Sequence, residues 1–261
     1  MKRVNMFLAA AFFATSICMT VVVTSCDKEE YIESGIVTLT TNSDEFTVVL
    51  WGSGTANIDW GDGTESESVA IMRHDPISIS RTYSEISIRT ITVSGKIAGF
   101  SCQNQLLINL DVSKHKGLIR LVCVNNQLIN LDVSGATKLI YLFCRNNQLS
   151  KFDVSKNTRL GSSSCEGNQL KSLDVSKNTK LESFSCDNNQ LTSLDVSRNT
   201  ELRFLHCKNN LLSANALNVL FGTLPKRDDL NAGYIYIIGN PGTGSCNRDI
   251  ATTKKWTVYY H

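Results

Sequence analysis

The chain has 261 residues, of which 26 are basic and 24 are acidic, and its formal net charge is +2. Aromatic residues make up 8% and charged residues 19%, which is ordinary for a folded soluble domain and argues against gross disorder. The balanced charge and the lack of a basic stripe give no support for nucleic acid as a partner.

Residues 1–25 are predicted to be a secretory signal peptide. Lys2 and Arg3 form its basic start, and an apolar segment follows over residues 6–23. The run Val23-Thr-Ser-Cys26 resembles a bacterial lipobox, in which the cysteine becomes the lipidated first residue of the mature protein. An ordinary secretory signal with a chance cysteine is the alternative. We therefore predict a lipid anchor at Cys26 and a tether over residues 26–35.

The tether begins with the charged residues 27–30, whose sequence is Asp-Lys-Glu-Glu. This run resembles the short export signal that sends some Gram-negative lipoproteins to the outer face of the outer membrane. The resemblance implies an outer-membrane lipoprotein displayed on the cell surface. The alternative is a solvated tether with no targeting role.

Residues 36–95 are predicted to form a small antiparallel β-module. Residues 36–40, 46–51 and 86–93 are rich in β-branched side chains, alternate in polarity and are bounded by Gly, Ser and Asp. These predicted strands lie directly before a run of repeats, whose exposed end would leave a sheet edge open. The module is therefore expected to cover the first repeat.

The motif Trp60-Gly-Asp62-Gly-Thr, followed by Arg81-Thr-Tyr83, resembles the signature of PKD-type β-sandwiches. Members of that family usually have His where this chain has Arg81. The resemblance implies a β-sandwich over residues 36–95. Asp59 and Asp62 could be calcium ligands, but two carboxylates fall short of the six to eight oxygens that calcium prefers, so capping of the turn is favoured.

The region 96–212 contains six copies of one 21-residue pattern. Each copy has one cysteine at the same position: Cys102, Cys123, Cys144, Cys165, Cys186 and Cys207. Position one of each repeat is its first Leu or Ile, and positions one, four, six and eleven are expected to face inward. Cysteine stands at position six, and position nine is asparagine except for Gln105 in the first repeat. A period of about 20–29 residues with this pattern predicts a leucine-rich repeat solenoid.

These repeats resemble the cysteine-containing 21-residue repeats of internalin-type bacterial adhesins. The resemblance implies a parallel β-sheet on the concave side, extended segments on the convex side and ligand binding by the concave face. Asp111 and its counterparts are expected to cap backbone N–H groups on the convex side. Ser163 interrupts the inward apolar pattern at position four, which predicts a weaker core or a bound water there.

The six repeated cysteines are interpreted as core residues, because a free cysteine packs as a small hydrophobe. Partial disulfide formation is an alternative, since parallel strands lie about 4.8 Å apart, although parallel side chains fit the disulfide torsion poorly. A soft-metal site is a third alternative, but a row of thiols does not surround a point.

Strand positions three, five and seven are expected to point outward on the concave face, and serines and acids fill them in the fourth and fifth repeats. Exposed aromatic and arginine side chains are typical of interface anchors. The predicted ligand-binding residues are Arg120, Val122, Val124, Tyr141, Phe143, Arg145, Phe204 and His206.

Residues 213–261 depart from the repeat and are predicted to be an α/β cap. Ser213 is expected to cap a helix that reaches Leu224 and ends at Pro225. Strands are expected over residues 234–238 and 256–260, with a short helix over residues 249–255.

The four histidines lie in unrelated parts of the chain, and no nucleophile motif, phosphate loop or zinc spacing is present. We therefore predict a non-enzymatic binding protein, without cofactor or metal, that contacts a protein partner through the concave face and the membrane through Cys26. A glycan-binding lipoprotein and a structural component of the envelope are the alternatives.

Overall fold

A computed structural model of the chain describes residues 32–261, so the predicted signal peptide and Cys26 lie outside the described residues. The strands within 32–261 are β1 Gly35–Thr41, β2 Glu45–Asp59, β3 Glu67–Ile71, β4 Ile77–Thr82, β5 Arg89–Ser101, β6 Leu107–Asp111, β7 Arg120–Val122, β8 Tyr141–Phe143, β9 Ser162–Ser164, β10 Ser183–Ser185, β11 Phe204–His206, β12 Gly233–Tyr236 and β13 Trp256–Tyr259. The helices in the same range are α1 Ala214–Thr223 and α2 Asp249–Thr252. None of the helices in this described part is long and apolar enough to cross a membrane.

Every pairing among the first five strands is antiparallel. β2 pairs with β3, β4 and β5, and β1 pairs with β5. Alternate side chains of β1 and β2 are buried, as the period of two residues in a strand requires. One predicted strand was wrong in its start: Ile86 and Ile88 are 73% and 71% exposed and precede β5, which begins at Arg89.

β5 belongs both to the antiparallel strands and to the repeats. β1 pairs with its first part, up to Gly95, and β7 pairs in parallel with its last residues, Gly99 to Ser101. β2 pairs with both parts, from Thr92 to Ser101. The strand therefore crosses the boundary predicted at residues 95 and 96. β6, in the second half of the first repeat, also pairs with β1, with Leu110 opposite Leu39.

The repeats form a parallel sheet, as their resemblance to internalin-type repeats implies. The strands pair in the order β5, β7, β8, β9, β10 and β11, and partners are separated by one repeat in sequence. Position four faces the core in each strand. Ser163 lies there between Leu142 and Phe184, and its buried hydroxyl has no hydrogen-bond partner. The core at this site thus places a small polar residue beside the large, fully buried Phe184.

The six cysteines at position six form a continuous buried row, which we call the cysteine row. All six are free thiols and are fully buried. Each Sγ lies 3.4 to 3.7 Å from the carbonyl oxygen of position five in the next strand, which is a weak hydrogen bond. Burial raises the pKa of the Cys123 thiol to about 12. The row is therefore a set of neutral thiols that pack in the core.

Position nine forms a second row, which we call the asparagine row. In a typical repeat, the Nδ2 of Asn147 donates to the carbonyls of Cys123, Cys144 and Arg145 at 2.9, 3.0 and 3.2 Å. Its Oδ1 accepts from the N–H of Leu128 at 3.1 Å. One side chain thus satisfies the buried backbone groups of two successive repeats.

At position nine, the first repeat has Gln105 in place of asparagine, and the contacts of this side chain explain the difference. No repeat precedes the first one, and the longer side chain of Gln105 reaches β2, where its Oε1 accepts from the N–H of Thr47 at 2.6 Å. The backbone N–H of Gln105 still donates to the Oδ1 of Asn126. Gln105 therefore joins the repeats to the antiparallel strands.

The second half of each repeat is an extended segment held by polar side chains. The predicted aspartate caps are confirmed: the Oδ1 of each repeated aspartate accepts from the serine N–H two residues later, at 2.8 Å for Asp111 and Ser113. Three asparagines near the repeat boundary are also buried, and each donates to two carbonyls of the preceding repeat: Asn157, Asn178 and Asn199.

The C-terminal residues continue the parallel sheet. α1 begins after Ser213, whose hydroxyl accepts from the N–H of Ala216 at 3.2 Å. β12 then pairs in parallel with β11, and β13 pairs in parallel with β12. In this register Ile237 lies where a repeat has cysteine. Asn240 lies where a repeat has asparagine, and it accepts from the N–H of Leu212 and donates to the carbonyl of Cys207.

Candidate binding face

The side chains at strand positions three, five and seven point away from the core, and we call the surface that they form the outward face. Its N-terminal part contains Arg120, Tyr141 and Phe143, and its central part is a floor of four serines: Ser162, Ser164, Ser183 and Ser185. Its C-terminal part carries an aromatic stack from three strands: Phe204, His206, Tyr234, Tyr236 and Tyr259.

Trp51 of β2 extends the N-terminal part of the outward face. Its ring lies over Gly99, where an added Cβ would be 1.8 Å from a ring atom, so this position in β5 requires glycine. The Arg120 Cζ lies 5.9 Å from the Trp51 ring centroid, 5.5 Å from that of Tyr141 and 5.6 Å from that of Phe143. We call these four residues the arginine cluster. Burial lowers the pKa of the Arg120 guanidinium.

The remaining predicted residues of this part are less accessible than expected. Val122 and Val124 occupy the predicted positions on the outward face but are only 8% and 5% exposed. Arg145 is half-buried, and its Nη1 lies 3.9 Å from Oε2 of Glu166. A ligand on this side would therefore meet mainly the half-buried Tyr141 and Phe143 and the guanidinium between them.

The serine floor separates two groups of rings. With strands about 4.8 Å apart, the two serine strands leave about 14 Å between β8 and β11. Ser164 and Ser185 are buried, at 1% and 0% exposure, and their hydroxyls have no hydrogen-bond partner. The floor is therefore a strip of small side chains between larger aromatic ones.

The aromatic stack follows the parallel register of the sheet. The rings of Phe204 and Tyr234 are 5.5 Å apart, those of His206 and Tyr236 are 4.2 Å apart, and those of Tyr236 and Tyr259 are 4.5 Å apart. These pairs are nearly parallel, with interplanar angles of 8°, 10° and 7°. The stack unites the predicted Phe204 and His206 with three tyrosines that the sequence pattern places only in the cap.

A buried carboxylate lies beside this stack. Asp187, whose side chain is 3% exposed, accepts from the N–H of Lys208 at 2.6 Å, and the Lys208 Nζ lies 3.1 Å away. Burial raises the pKa of Asp187 to about 6, although the contacts with Lys208 act in the opposite direction. Burial also lowers the pKa of His206, which is 9% exposed, to about 4. His206 is therefore neutral at pH 7 and stacks as an aromatic ring.

The turn near residue 60 is held by its own carboxylates. Asp59 accepts from the N–H of Gly61 at 2.9 Å, and Asp62 accepts from the N–H and hydroxyl of Thr64 at 3.1 and 2.6 Å. Arg81 donates to Asp62 from two nitrogens, at 2.8 and 2.6 Å. Capping, the favoured interpretation, is thus observed. Within residues 32–261, no group of three or more His, Cys, Asp or Glu residues could hold a metal ion.

Comparisons with known proteins give matches among solved structures. The functional domain of InlJ from Listeria monocytogenes, which includes a cysteine ladder, is 25% identical over 65% of this chain and 50% of that one, with a TM-score of 0.33. The internalin InlF from Listeria monocytogenes is 17% identical over 62% of this chain and 54% of that one, with a TM-score of 0.48.

The leucine-rich repeat domain of APL1B is 18% identical over 57% of this chain and 49% of that one, with a TM-score of 0.42. The chain thus spans about half the length of each of these structures. No family model matches the chain, and no curated protein matches it significantly.

Proposed function

We propose that the chain is a non-enzymatic binding module that contacts a protein partner through the outward face of its parallel sheet. The observation that carries this proposal is that aromatic rings flank the serine floor on both sides, in the arginine cluster on one side and in the aromatic stack on the other. A parallel sheet whose other side is buried does not need half-buried rings on its outward side. Aromatic residues and arginine are the side chains that most often anchor protein interfaces.

The proposal includes attachment to the outer membrane through a lipid on Cys26, with the repeats displayed on the cell surface. The lipobox and the charged residues after it support this part. Each acyl methylene that enters the bilayer contributes about 0.8 kcal/mol, so attachment through more than one acyl chain is stable. Cys26→Ser should abolish incorporation of labelled palmitate, and protease added to intact cells should remove the repeats.

The proposed interface is tested by truncating two of its rings. Tyr141→Ala with Phe143→Ala should abolish binding of a partner at the outward face, because both rings would be lost from one interface centre. Ile129→Ala is the matched control, since Ile129 is 57% exposed but follows the strand of its repeat. Circular dichroism of both variants checks the fold. Unchanged affinity of a properly folded double variant would refute the proposed interface.

A glycan is the second candidate ligand, favoured by the half-buried Ser162 and Ser183, which lie between the two groups of aromatic rings. A glycan array and a proteomic pull-down with the same chain separate the two candidates. Specific array binding that the double variant loses, with no protein partner recovered, would replace the first proposal by the second.

A further inference from the structure

The packing of the repeats does not explain the environment of Arg120. Its guanidinium lies within 6 Å of three ring centroids and is partly withdrawn from water. Within residues 32–261, no carboxylate pairs with it. Arg145, one repeat further along the same face, does pair with an acid, Glu166. The arginine cluster therefore holds a cation whose counter-charge is missing.

An arginine in this position is costly unless something compensates it. Withdrawing a charge from water is unfavourable, and the faces of aromatic rings recover only part of that cost. The rings also offer no strong acceptors to the five N–H donors of the guanidinium. An oxyanion that accepts two of these hydrogen bonds would supply both the missing charge and the missing acceptors.

We propose that Arg120 binds a carboxylate of the protein partner, an Asp or Glu side chain that lies next to apolar residues. The guanidinium fork matches a carboxylate in two parallel hydrogen bonds. Trp51 and Phe143 surround that position with apolar surface, which favours an acid flanked by apolar side chains. This inference rests on the proposed function, because it names the chemical group that the outward face recognises.

Trp51 gives the antiparallel strands a part in this recognition. It belongs to β2, yet its ring lies over Gly99 and beside Arg120 on the face formed by the repeats. The carboxylate site is therefore assembled from two regions of the chain. Trp51→Ala should weaken binding of an acidic peptide, because it removes one wall around the guanidinium.

The inference is tested by selecting random dodecapeptides, displayed on phage, that bind the full chain. A parallel selection uses the Arg120→Met variant. Methionine keeps an unbranched apolar side chain among the rings and removes the charge. The peptides selected on the original chain should be rich in Asp and Glu next to apolar residues. Single peptides should bind Arg120→Met at least about tenfold more weakly, as expected when a charge-assisted hydrogen bond is lost.

The peptides themselves supply a test that does not depend on the folding of a variant. Replacing the selected Asp or Glu by Asn or Gln should also weaken binding to the original chain about tenfold or more. Arg120→Lys keeps the charge without the planar fork and should restore only part of the affinity.

The inference is overturned if acids are not enriched on the original chain, or if they are equally enriched on Arg120→Met. Peptides that require Tyr141 and Phe143 but contain no acid would remove this inference and leave the proposed function intact. Acidic oligosaccharides that bind through Arg120, where acidic peptides do not, would overturn the choice of a protein partner.

Discussion

The cysteine row and the asparagine row run side by side through the same core and stabilise it in different ways. Each thiol fills space and makes one weak contact with a carbonyl, such as the 3.6 Å contact between Cys144 Sγ and the oxygen of Ser164. Each asparagine satisfies several backbone groups, as Asn147 does for two repeats. A repeated residue can therefore be a packing unit or a hydrogen-bonding centre, and its neighbours decide which.

The largest expected effect concerns the reactivity of the cysteine row. Iodoacetamide at pH 8 should label Cys123 about a thousandfold more slowly in the folded chain than in urea, and it should also label the other five thiols more slowly, because burial raises the pKa of each. The reason is that the thiolate reacts, and burial raises the pKa of Cys123 from 9.0 to about 12. Peptide mass spectrometry measures the rate at each site. A pair that stays unlabelled even in urea would indicate a disulfide and contradict the packing role.

Asn147→Ala should cause the next largest effect, a loss of about 3 kcal/mol in the free energy of unfolding. The substitution leaves the buried Leu128 N–H without a partner, which costs about 1–3 kcal/mol. It also removes one of the two side-chain hydrogen bonds that the carbonyls of Cys123 and Cys144 accept. Urea denaturation measures the loss. Asn130→Ala is the matched control, because Asn130 is exposed and its change should stay within about 0.5 kcal/mol.

Cys144→Ala should cost less, about 1 kcal/mol, because it removes one buried sulfur atom and a weak hydrogen bond. The same urea denaturation compares it directly with Asn147→Ala. Equal losses for the two variants would mean that the cysteine row stabilises the core as strongly as the asparagine row, and the difference between the two rows would disappear.

Ser163→Ala should have the smallest effect and the opposite sign, an increase of less than about 1 kcal/mol in the free energy of unfolding. The buried Ser163 hydroxyl has no hydrogen-bond partner, and removing an unsatisfied polar group relieves its desolvation cost. This variant tests whether a buried polar atom in the repeat core stabilises the fold only when it has a hydrogen-bond partner. A clear loss of stability would show that a bound water satisfies the hydroxyl, the second outcome expected from the sequence.

Much of the repeat region could be predicted from the sequence because its period is fixed. Position four faces the core, as Leu142 shows, and the aspartate caps are where the motif places them. The burial of Asn157, by contrast, could not be predicted, since a polar residue at a repeat boundary gives no sign of it. Its carbonyl partners lie in the preceding repeat and become visible only when the repeats stack.

The outward face was predicted less completely. The continuation of the sheet into β12 is hidden in the sequence because α1 lengthens the connection, although Ile235, Ile237 and Asn240 have the spacing of positions four, six and nine. Nothing in the sequence indicates that Trp51 lies over Gly99, because that contact depends on the register in which β2 pairs with β5. The prediction that the eight named residues bind a ligand stays a prediction.

The shared strand β5 determines how a load on the molecule is transmitted. Its first part pairs with β1 and its last three residues pair with β7, while β2 pairs with both parts. Because this one strand is hydrogen-bonded in both regions, we expect a bound partner to move together with the antiparallel strands. Tension between a partner on the outward face and residue 32 would act on these backbone hydrogen bonds together, and the two regions should yield to it as one mechanical unit.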